Sequence, residues 1–291
     1  MTHQPENRQA EFAAIIHKLK RRRIIIVSLY AVAVVIFAFI AFPTVIYIPG
    51  VVEFAREGLP GGISVTVLVL MFIVFMAAYG YTILPIDRAL DEECDPEKCL
   101  ALYAALGSKK IDPHGQAVLF NCFFYMGRYA EAMPYAQQLT QNKKPIYRAA
   151  GHFFCAQLGY FMGDAALLRE AALRYRADLA AVEKLNAKNR ALFDCRTAMI
   201  DIMVGLCDGN HQAVAEALPG MKPWSPVPAV TIIIDTLKGI AALPRPDGGG
   251  DRDEAVYRFM TVKEKGGRTC FVAMAAWYLG QLKGDSAQKS T

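Results

Sequence analysis

Two segments near the N-terminus lack charged side chains altogether. Neither Ile24–Ile48 nor Ile63–Pro85 contains Asp, Glu, Lys, Arg or His, which excludes the proton relays and ion pathways that transporters build inside the bilayer. As helices that rise about 1.5 Å per residue, the two segments would measure about 37 Å and 34 Å. A bilayer core is about 30 Å thick. The sequence therefore predicts two transmembrane helices, 24–48 and 63–85, joined by a short Gly- and Pro-rich loop over 49–62.

Little net charge is left once the N-terminus is set aside. Residues 1–23 carry a net +4, the loop 49–62 a net −1 and residues 87–291 a net +2. The balance in the last part excludes the basic stripe of a nucleic-acid-binding domain. By the positive-inside rule, the basic segment 1–23 and the large C-terminal part are cytoplasmic and the loop is external. We expect a multi-pass protein of the plasma or inner membrane. A cleavable signal peptide is the alternative, but its apolar core would be only about 7–15 residues long.

The cysteine pattern contains no C-x-x-C pair. The chain has an odd number of cysteines, and all of them follow residue 87. This excludes a disulfide framework and is typical of a reducing cytosol. Paired zinc ligands are also missing, so the sequence predicts no metal site and no cofactor. The cysteines are Cys94, Cys99, Cys122, Cys155, Cys195, Cys207 and Cys270.

Strand alternation is missing from Asp95 onward, and helix start and stop signals replace it. Asp-Pro pairs at 95–96 and 112–113 are typical helix N-termini, and Gly127, Gly163 and Gly209 are typical helix ends. We predict an all-α domain over 112–291, preceded by a linker and first helix over 87–111 whose acidic part, Asp87–Glu97, forms a solvated stalk. Later helices are expected over Tyr129–Gln141, Ile146–Met162, Ala165–Leu185, Asn189–Cys207, His211–Leu218, Val230–Leu243, Glu254–Glu264 and Thr269–Lys283.

The three glycine turns lie 36 and 46 residues apart, which indicates recurring helical pairs. The clearest unit, Gln116–Pro145, resembles the tetratricopeptide repeat, because five of its residues fall at the signature spacing of that repeat. Two later units keep little more than the turn, and the resemblance covers about 112–265. It implies an α-solenoid, which is a statement about architecture more than about function. The five residues are Leu119, Phe123, Gly127, Tyr129 and Ala132.

Aromatic side chains cluster on the first helices of the first two pairs. Most should be core, but a solenoid also lines a concave groove with such helices, so some rings could contact a partner. In tetratricopeptide proteins that bind a terminal carboxylate, Asn and basic side chains line the groove. Asn121 and Arg196 fall at such positions, whereas Ala117, Phe154 and Ile200 stand where Lys, Asn and Arg are needed, so we expect apolar binding instead. The candidate groove is Phe120, Asn121, Phe124, Phe153 and Arg196.

No catalytic motif is found. His152 and Cys155 would share a helix face, but such a pair among aromatic residues is more often structural. The loop Asp247–Glu254 matches no calcium or phosphate loop, and its acids suit the N-terminus of the next helix. We therefore expect a membrane-anchored scaffold or adaptor that recruits an unidentified protein partner and is not an enzyme. The alternative is a small-molecule sensor or enzyme. A convergent acid/base group in a pocket would favour the alternative, and a continuous solvent-exposed groove without one would favour the scaffold. Thr269–Lys283 either caps the domain or occupies the groove.

Removing residues 1–86 should release a soluble, helical domain, because both predicted spans lie in that segment. Solubility without detergent and the far-UV circular dichroism spectrum test this expectation. An insoluble fragment, or one without helix, would contradict the division into an anchor and a domain.

Overall fold

A computed structural model describes the backbone of residues 5–41, 45–48, 51–55, 61–82, 84–106, 111–245 and 248–288. Side chains are described for residues 8, 10–38, 65–82, 84–106, 111–187, 189–245 and 248–283. By its packing the chain divides into two compact units. The first comprises residues 1–85 with 104–106, and the second comprises residues 86–103 with 107–291.

The first unit contains two long helices and a small hairpin. Helix α1 runs over Pro5–Ala41 and helix α2 over Gly61–Tyr81. Between them, strands β1 (Val45–Ile48) and β2 (Val51–Ala55) pair antiparallel, with Val45 opposite Ala55. The two helices pack against each other, and the rings of Tyr30 and Phe75 stack with their centroids 4.1 Å apart.

The hairpin corrects the predicted extent of the first span. The sequence predicted one helix over 24–48, but α1 ends at Ala41 and Val45–Ile48 is a strand. Pro43 disfavours helical conformation at and before its own position. The residues that follow are mostly β-branched or aromatic, which favours strands. An uncharged apolar run is compatible with either a helix or a strand. The absence of charge therefore could not predict where α1 ends.

One helical stretch among the described residues, Val65–Asp91, which takes in most of α2 and the short helix that follows it, is long and apolar enough to cross a membrane. Its most apolar window has a mean hydropathy of 2.3, and only 6% of that window is buried. Large apolar side chains such as Val74 therefore lie exposed on its surface. Helix α1 carries a further uncharged stretch over residues 24–41, directly after Arg21, Arg22 and Arg23.

All regular structure described in the second unit is helical, as predicted for this part of the chain. Side-chain caps begin many of the helices: Asp112 Oδ1 accepts a hydrogen bond from Gly115 N at 2.8 Å, for example. Gly127 and Gly163 both have φ of +73°, so each glycine turn permits the backbone to reverse. The helices are α3 (Leu84–Asp91), α4 (Pro96–Leu106), α5 (Pro113–Tyr125), α6 (Tyr129–Thr140), α7 (Pro145–Met162), α8 (Ala165–Ala180), α9 (Ala187–Cys207), α10 (His211–Ala217), α11 (Pro228–Ala241), α12 (Arg252–Lys265) and α13 (Cys270–Gln288).

The acidic segment after Pro85 is not a solvated stalk. Ile86, Ala89 and Leu90 share one face of α3 and are buried, and Cys94 is fully buried as well. The backbone N–H of Arg268 donates to the Cys94 carbonyl at 2.9 Å, which ties the segment to the loop before α13. The helix is short and amphipathic, with its acids on the other face. Its high charge content therefore led to the wrong prediction of a solvated linker for a segment that packs against the domain.

Successive helices pack as neighbours: α5 against α6, α6 against α7, and α7 against α8. An aromatic core joins them. The rings of Phe120 and Phe154 stack at 4.0 Å, and Phe120 and Phe124 have no more than 1% of their surface exposed. Phe271 of α13, also fully buried, packs its ring 5.8 Å from that of Phe124. The last helix therefore contributes to the core.

Replacing Phe120 by Ala should lower the free energy of unfolding by about 3–5 kcal/mol, because a fully buried ring leaves a cavity behind. Leu173→Ala on α8 is the matched control, since Leu173 is 68% exposed and should change stability by about 0.5 kcal/mol or less. Urea unfolding in mild detergent measures both. Equal effects of the two substitutions would contradict the core assignment of Phe120.

Candidate functional site

The first helices of three successive pairs share a cavity of about 300 Å³. Helix α5 contributes Asn121, α7 contributes Phe153, Phe154 and Gln157, and α9 contributes Arg196 and Met199. The opposite wall is a stretch that we call the covering segment, residues 224–230, together with Ile233 of α11. The last two residues of α3, Leu90 and Asp91, complete the lining.

Of the five residues of the predicted groove, three line the cavity and two are buried in the core. Asn121, Phe153 and Arg196 all line the cavity. Phe120 and Phe124 were wrong as candidate contact residues, because both are buried in the core and unavailable to a partner. They turn toward α7 and α13, whereas Asn121 points to the cavity.

The covering segment was missed as part of the site. The prolines at 223, 226 and 228, just before and within this segment, indicate only a stiff connection between helices. A connection has no hydrophobic periodicity, so the sequence does not predict which surface it packs against. The hydroxyl of Tyr125 on α5 donates to the carbonyl of Ala229 at 2.6 Å. This buried hydrogen bond fixes the segment across the face that the sequence suggested was an open groove.

Arg196 is the most unusual residue of the cavity. Its guanidinium carbon lies 4.8 Å from the ring centroid of Phe153 and 5.5 Å from those of Phe154 and Phe193. The Nε atom is buried and has no hydrogen-bond partner. Burial lowers the pKa of Arg196 to about 10, and Tyr175 and Cys195 only partly oppose this shift. The side chain therefore stays positively charged at neutral pH without a counter-ion among the described residues.

Two carboxamide side chains face the same space. Gln157 is 4% exposed, and neither it nor Asn121 makes a side-chain hydrogen bond within the described part of the chain. One polar group each from α5, α7 and α9 thus lines the cavity, and we call these residues the polar triplet (Asn121, Gln157 and Arg196). Of the three, only Arg196 has a buried polar atom without a hydrogen-bond partner, its Nε. Buried polar groups in proteins are nearly always paired, so this atom marks a place where a bound molecule would supply a partner.

The cavity also contains a carboxyl group. Asp91 lies in its wall, and burial, followed by the nearby Asp87 and Glu92, raises the pKa of Asp91, which His114 opposes. Arg196 is not among the groups that shift the pKa of Asp91, nor Asp91 among those that shift the pKa of Arg196. The lining of the cavity thus contains one cationic and one acidic group.

The His152–Cys155 pair does not form a site of its own in the structure. His152 Nε2 lies 3.4 Å from Asp178 Oδ2, and Arg148 Nη2 lies 2.7 Å from Asp178 Oδ1. Burial lowers the pKa of His152 and raises that of Cys155 to about 11. A thiol with a raised pKa is a poor nucleophile. The geometry thus pairs His152 with a carboxylate on α8.

The acidic loop before α12 caps that helix. Asp251 Oδ1 accepts hydrogen bonds from the backbone N–H groups of Asp253 and Glu254, both at 3.0 Å. This confirms the prediction that acids of the loop stabilise the next N-terminus. Asp247 lies outside the described residues. Within the described chain, no three His, Cys, Asp or Glu residues are grouped closely enough to hold a metal ion.

Comparisons with protein-family models, with curated proteins and with solved structures find no match to this chain. The function must therefore be inferred from the geometry of the cavity and from the apolar helices.

Replacing Arg196 by Met should raise the free energy of unfolding by roughly 1–3 kcal/mol. The depressed pKa means that the folded state disfavours the charged form. This cost is present below pH 10 and is relieved as the pH rises from about 10 toward the ordinary value of 12.5. Met fills a similar volume without a charge, although the cation–π contacts are lost. Urea unfolding at neutral pH measures the difference.

Arg176→Met is the matched control, because Arg176 forms an exposed ion pair with Asp201. This substitution should change the free energy of unfolding by about 0.5 kcal/mol or less. If Arg196→Met instead has a lower free energy of unfolding than the unaltered protein, then the guanidinium stabilises the fold, which contradicts this prediction.

Proposed function

We propose that this chain is a membrane-anchored receptor whose helical domain binds a small molecule in the cavity between α5, α7, α9 and the covering segment. The observation that carries the proposal is the buried Nε of Arg196, which has no hydrogen-bond partner, in a cavity of about 300 Å³ that Asn121 and Gln157 also line. Ligand-binding pockets begin at about this size and combine apolar walls with a few polar groups.

The cavity favours a small molecule over a protein partner in the same place. The hydrogen bond between Tyr125 and the Ala229 carbonyl holds the covering segment over the face, where a peptide would have to lie. The space corresponds to roughly ten water molecules, which is too little for a strand or a helix. The polar triplet and the acidic Asp91 line this space together, and such a combination suits a small molecule.

The anchor we propose is a pair of transmembrane helices. The exposed apolar surface of Val65–Asp91 supports one of them, and the uncharged stretch 24–41 of α1 supports the other, since 18 residues are within the range that spans a bilayer. The basic residues before Ile24 favour a cytoplasmic N-terminus. A second crossing would then return the chain to the cytoplasm, where the second unit would bind its ligand.

We also propose that the second unit is a tetratricopeptide-like solenoid. The left-handed backbone at Gly127, Gly163 and Gly209 and the packing of each helix on the next support this interpretation. In such a stack, the first helices of successive pairs line one face. The polar triplet would then be the inner face of three units, at one residue per unit.

A membrane-bound adaptor is the second candidate, and exposed apolar side chains favour it. Tyr257 and Met260 on α12 are 59% and 42% exposed, and Trp277 on α13 is 59% exposed. Large exposed apolar groups often mark protein-binding surfaces. An adaptor would use this C-terminal helix pair and would not need the cavity.

The receptor is tested with the full-length protein in mild detergent and a protein-free, low-molecular-mass extract of the cells that produce it. We expect the extract to raise the thermal midpoint of the unaltered protein, because ligand that binds only the folded state stabilises it. Gln157→Leu should lose this shift, since it removes a polar group from the cavity wall. Gln137→Leu, the same change at an exposed position of α6, should keep it.

A shift that survives in Gln157→Leu would place the ligand elsewhere and contradict the receptor proposal. A shift produced only by the macromolecular fraction, and lost on replacing Trp277 by Ala, would favour the adaptor instead.

A further inference from the structure

We propose that the ligand of the cavity is a small organic monocarboxylate with an apolar body, and that its carboxylate binds Arg196. The inference rests on the proposed receptor function and specifies the chemistry of the molecule that the receptor takes. It is built from the charge, the shape and the size of the cavity, and each of these restricts the ligand separately.

The charge of the cavity requires an anion at one end. Arg196 has three aromatic neighbours but no acceptor for its buried Nε–H. Aromatic rings stabilise a cation without satisfying its N–H groups, which lie in the plane of the guanidinium. A carboxylate supplies two oxygen atoms in a geometry that matches a pair of these donors. The buried Nε–H of Arg196 therefore gains a hydrogen-bond acceptor only when a planar anion is bound.

The walls beyond Arg196 require an apolar body. Phe153, Phe154 and Met199 of α7 and α9 line the cavity, as do Val230 and Ile233 of α11. An inorganic anion would fill only the end next to Arg196 and leave the apolar walls without contacts. A molecule with a ring or a short hydrocarbon chain fills the space and buries apolar surface. Gln157 and Asn121 can then hydrogen-bond the carboxylate or a nearby polar group.

Asp91 restricts the ligand to a single negative charge. Its carboxyl group lies in the wall of the same cavity, and its pKa is already raised by burial and by acidic neighbours. A second carboxylate on the ligand would add another negative charge to this region and would be repelled. A dicarboxylate of similar size should therefore bind less tightly than a monocarboxylate.

The chain supplies its own reporter for the test. It contains two tryptophans, of which Trp224 lines the cavity and Trp277 is exposed on α13. Trp277→Phe in the full-length protein leaves Trp224 as the single indole. Its fluorescence is then titrated with 3-phenylpropanoate, with the neutral 3-phenylpropanamide and with the dicarboxylate phenylsuccinate.

We expect a saturable change with 3-phenylpropanoate and about tenfold weaker binding of the amide, because the amide loses the charge-assisted hydrogen bonds to Arg196. Phenylsuccinate should also bind more weakly, and Asp91→Asn should reduce that difference. Arg196→Met should bind the acid and the amide equally. Arg176→Met, which removes an exposed arginine of α8, should leave the preference for the acid intact.

The outcomes separate this inference from the proposed function. If the amide binds as tightly as the acid, the carboxylate assignment is overturned, while a small-molecule cavity remains. If no probe changes the emission of Trp224 although the low-molecular-mass extract still stabilises the protein, the ligand class is wrong and the receptor stands. If the extract has no effect either, both proposals fail.

Discussion

Core and cavity depend on one aromatic stack in the second unit. Phe154 packs its ring 4.0 Å from that of Phe120, which is fully buried between α5 and α7. The ring centroid of Phe154 also lies 5.5 Å from the guanidinium carbon of Arg196 on α9. The ring centroid of the adjacent Phe153 lies 4.8 Å from the same carbon. One side of the stack is therefore hydrophobic core, and the other holds a charge at the edge of a cavity. A shift of α7 would change both the packing of the core and the position of that charge.

The position of Arg196 is costly for the fold. A pKa near 10 instead of 12.5 corresponds to a loss on the order of 3 kcal/mol when the charged side chain is buried. Domains are stable by only about 5–15 kcal/mol, so such a cost is large. Neighbouring helices that need only to pack would tolerate Met or Leu at this position. Polar groups kept at a cost to stability are typical of binding sites.

The sequence predicted those features that depend on local chemistry. Asp112 and Asp251 cap the helices that their positions indicated, and Gly127 and Gly163 adopt the left-handed conformation expected at helix ends. The helices of the second unit therefore begin and end close to the predicted residues, although α8 stops at Ala180 where Leu185 was expected. Caps and glycine turns are set by a few neighbouring residues and need no knowledge of the tertiary structure.

Features that depend on distant contacts were not predictable in this way. Phe120, Phe123 and Phe124 follow one another on α5, and a helix with neighbours on several sides gives no periodicity that separates core from groove. Only the arrival of Phe154 and Phe271 from α7 and α13 decides that Phe120 and Phe124 are core. The burial of α3 likewise required the partners of Ile86 and Leu90. In the candidate site, the polar residues were visible on the helices, but the wall that encloses them was not.

That wall decides which function the second unit supports. Prolines at 223 and 226 disfavour helix between α10 and α11. Residues 224–227 therefore line the cavity of α5, α7 and α9 without regular structure, and the bond from Tyr125 to the carbonyl of Ala229, in the first turn of α11, holds the covering segment there. A solenoid without this segment would present the polar triplet on an open groove of the kind that binds peptides. With the segment, the same residues line a partly covered cavity of about 300 Å³. The covering segment, more than the helices themselves, therefore makes a small molecule the occupant that the geometry favours.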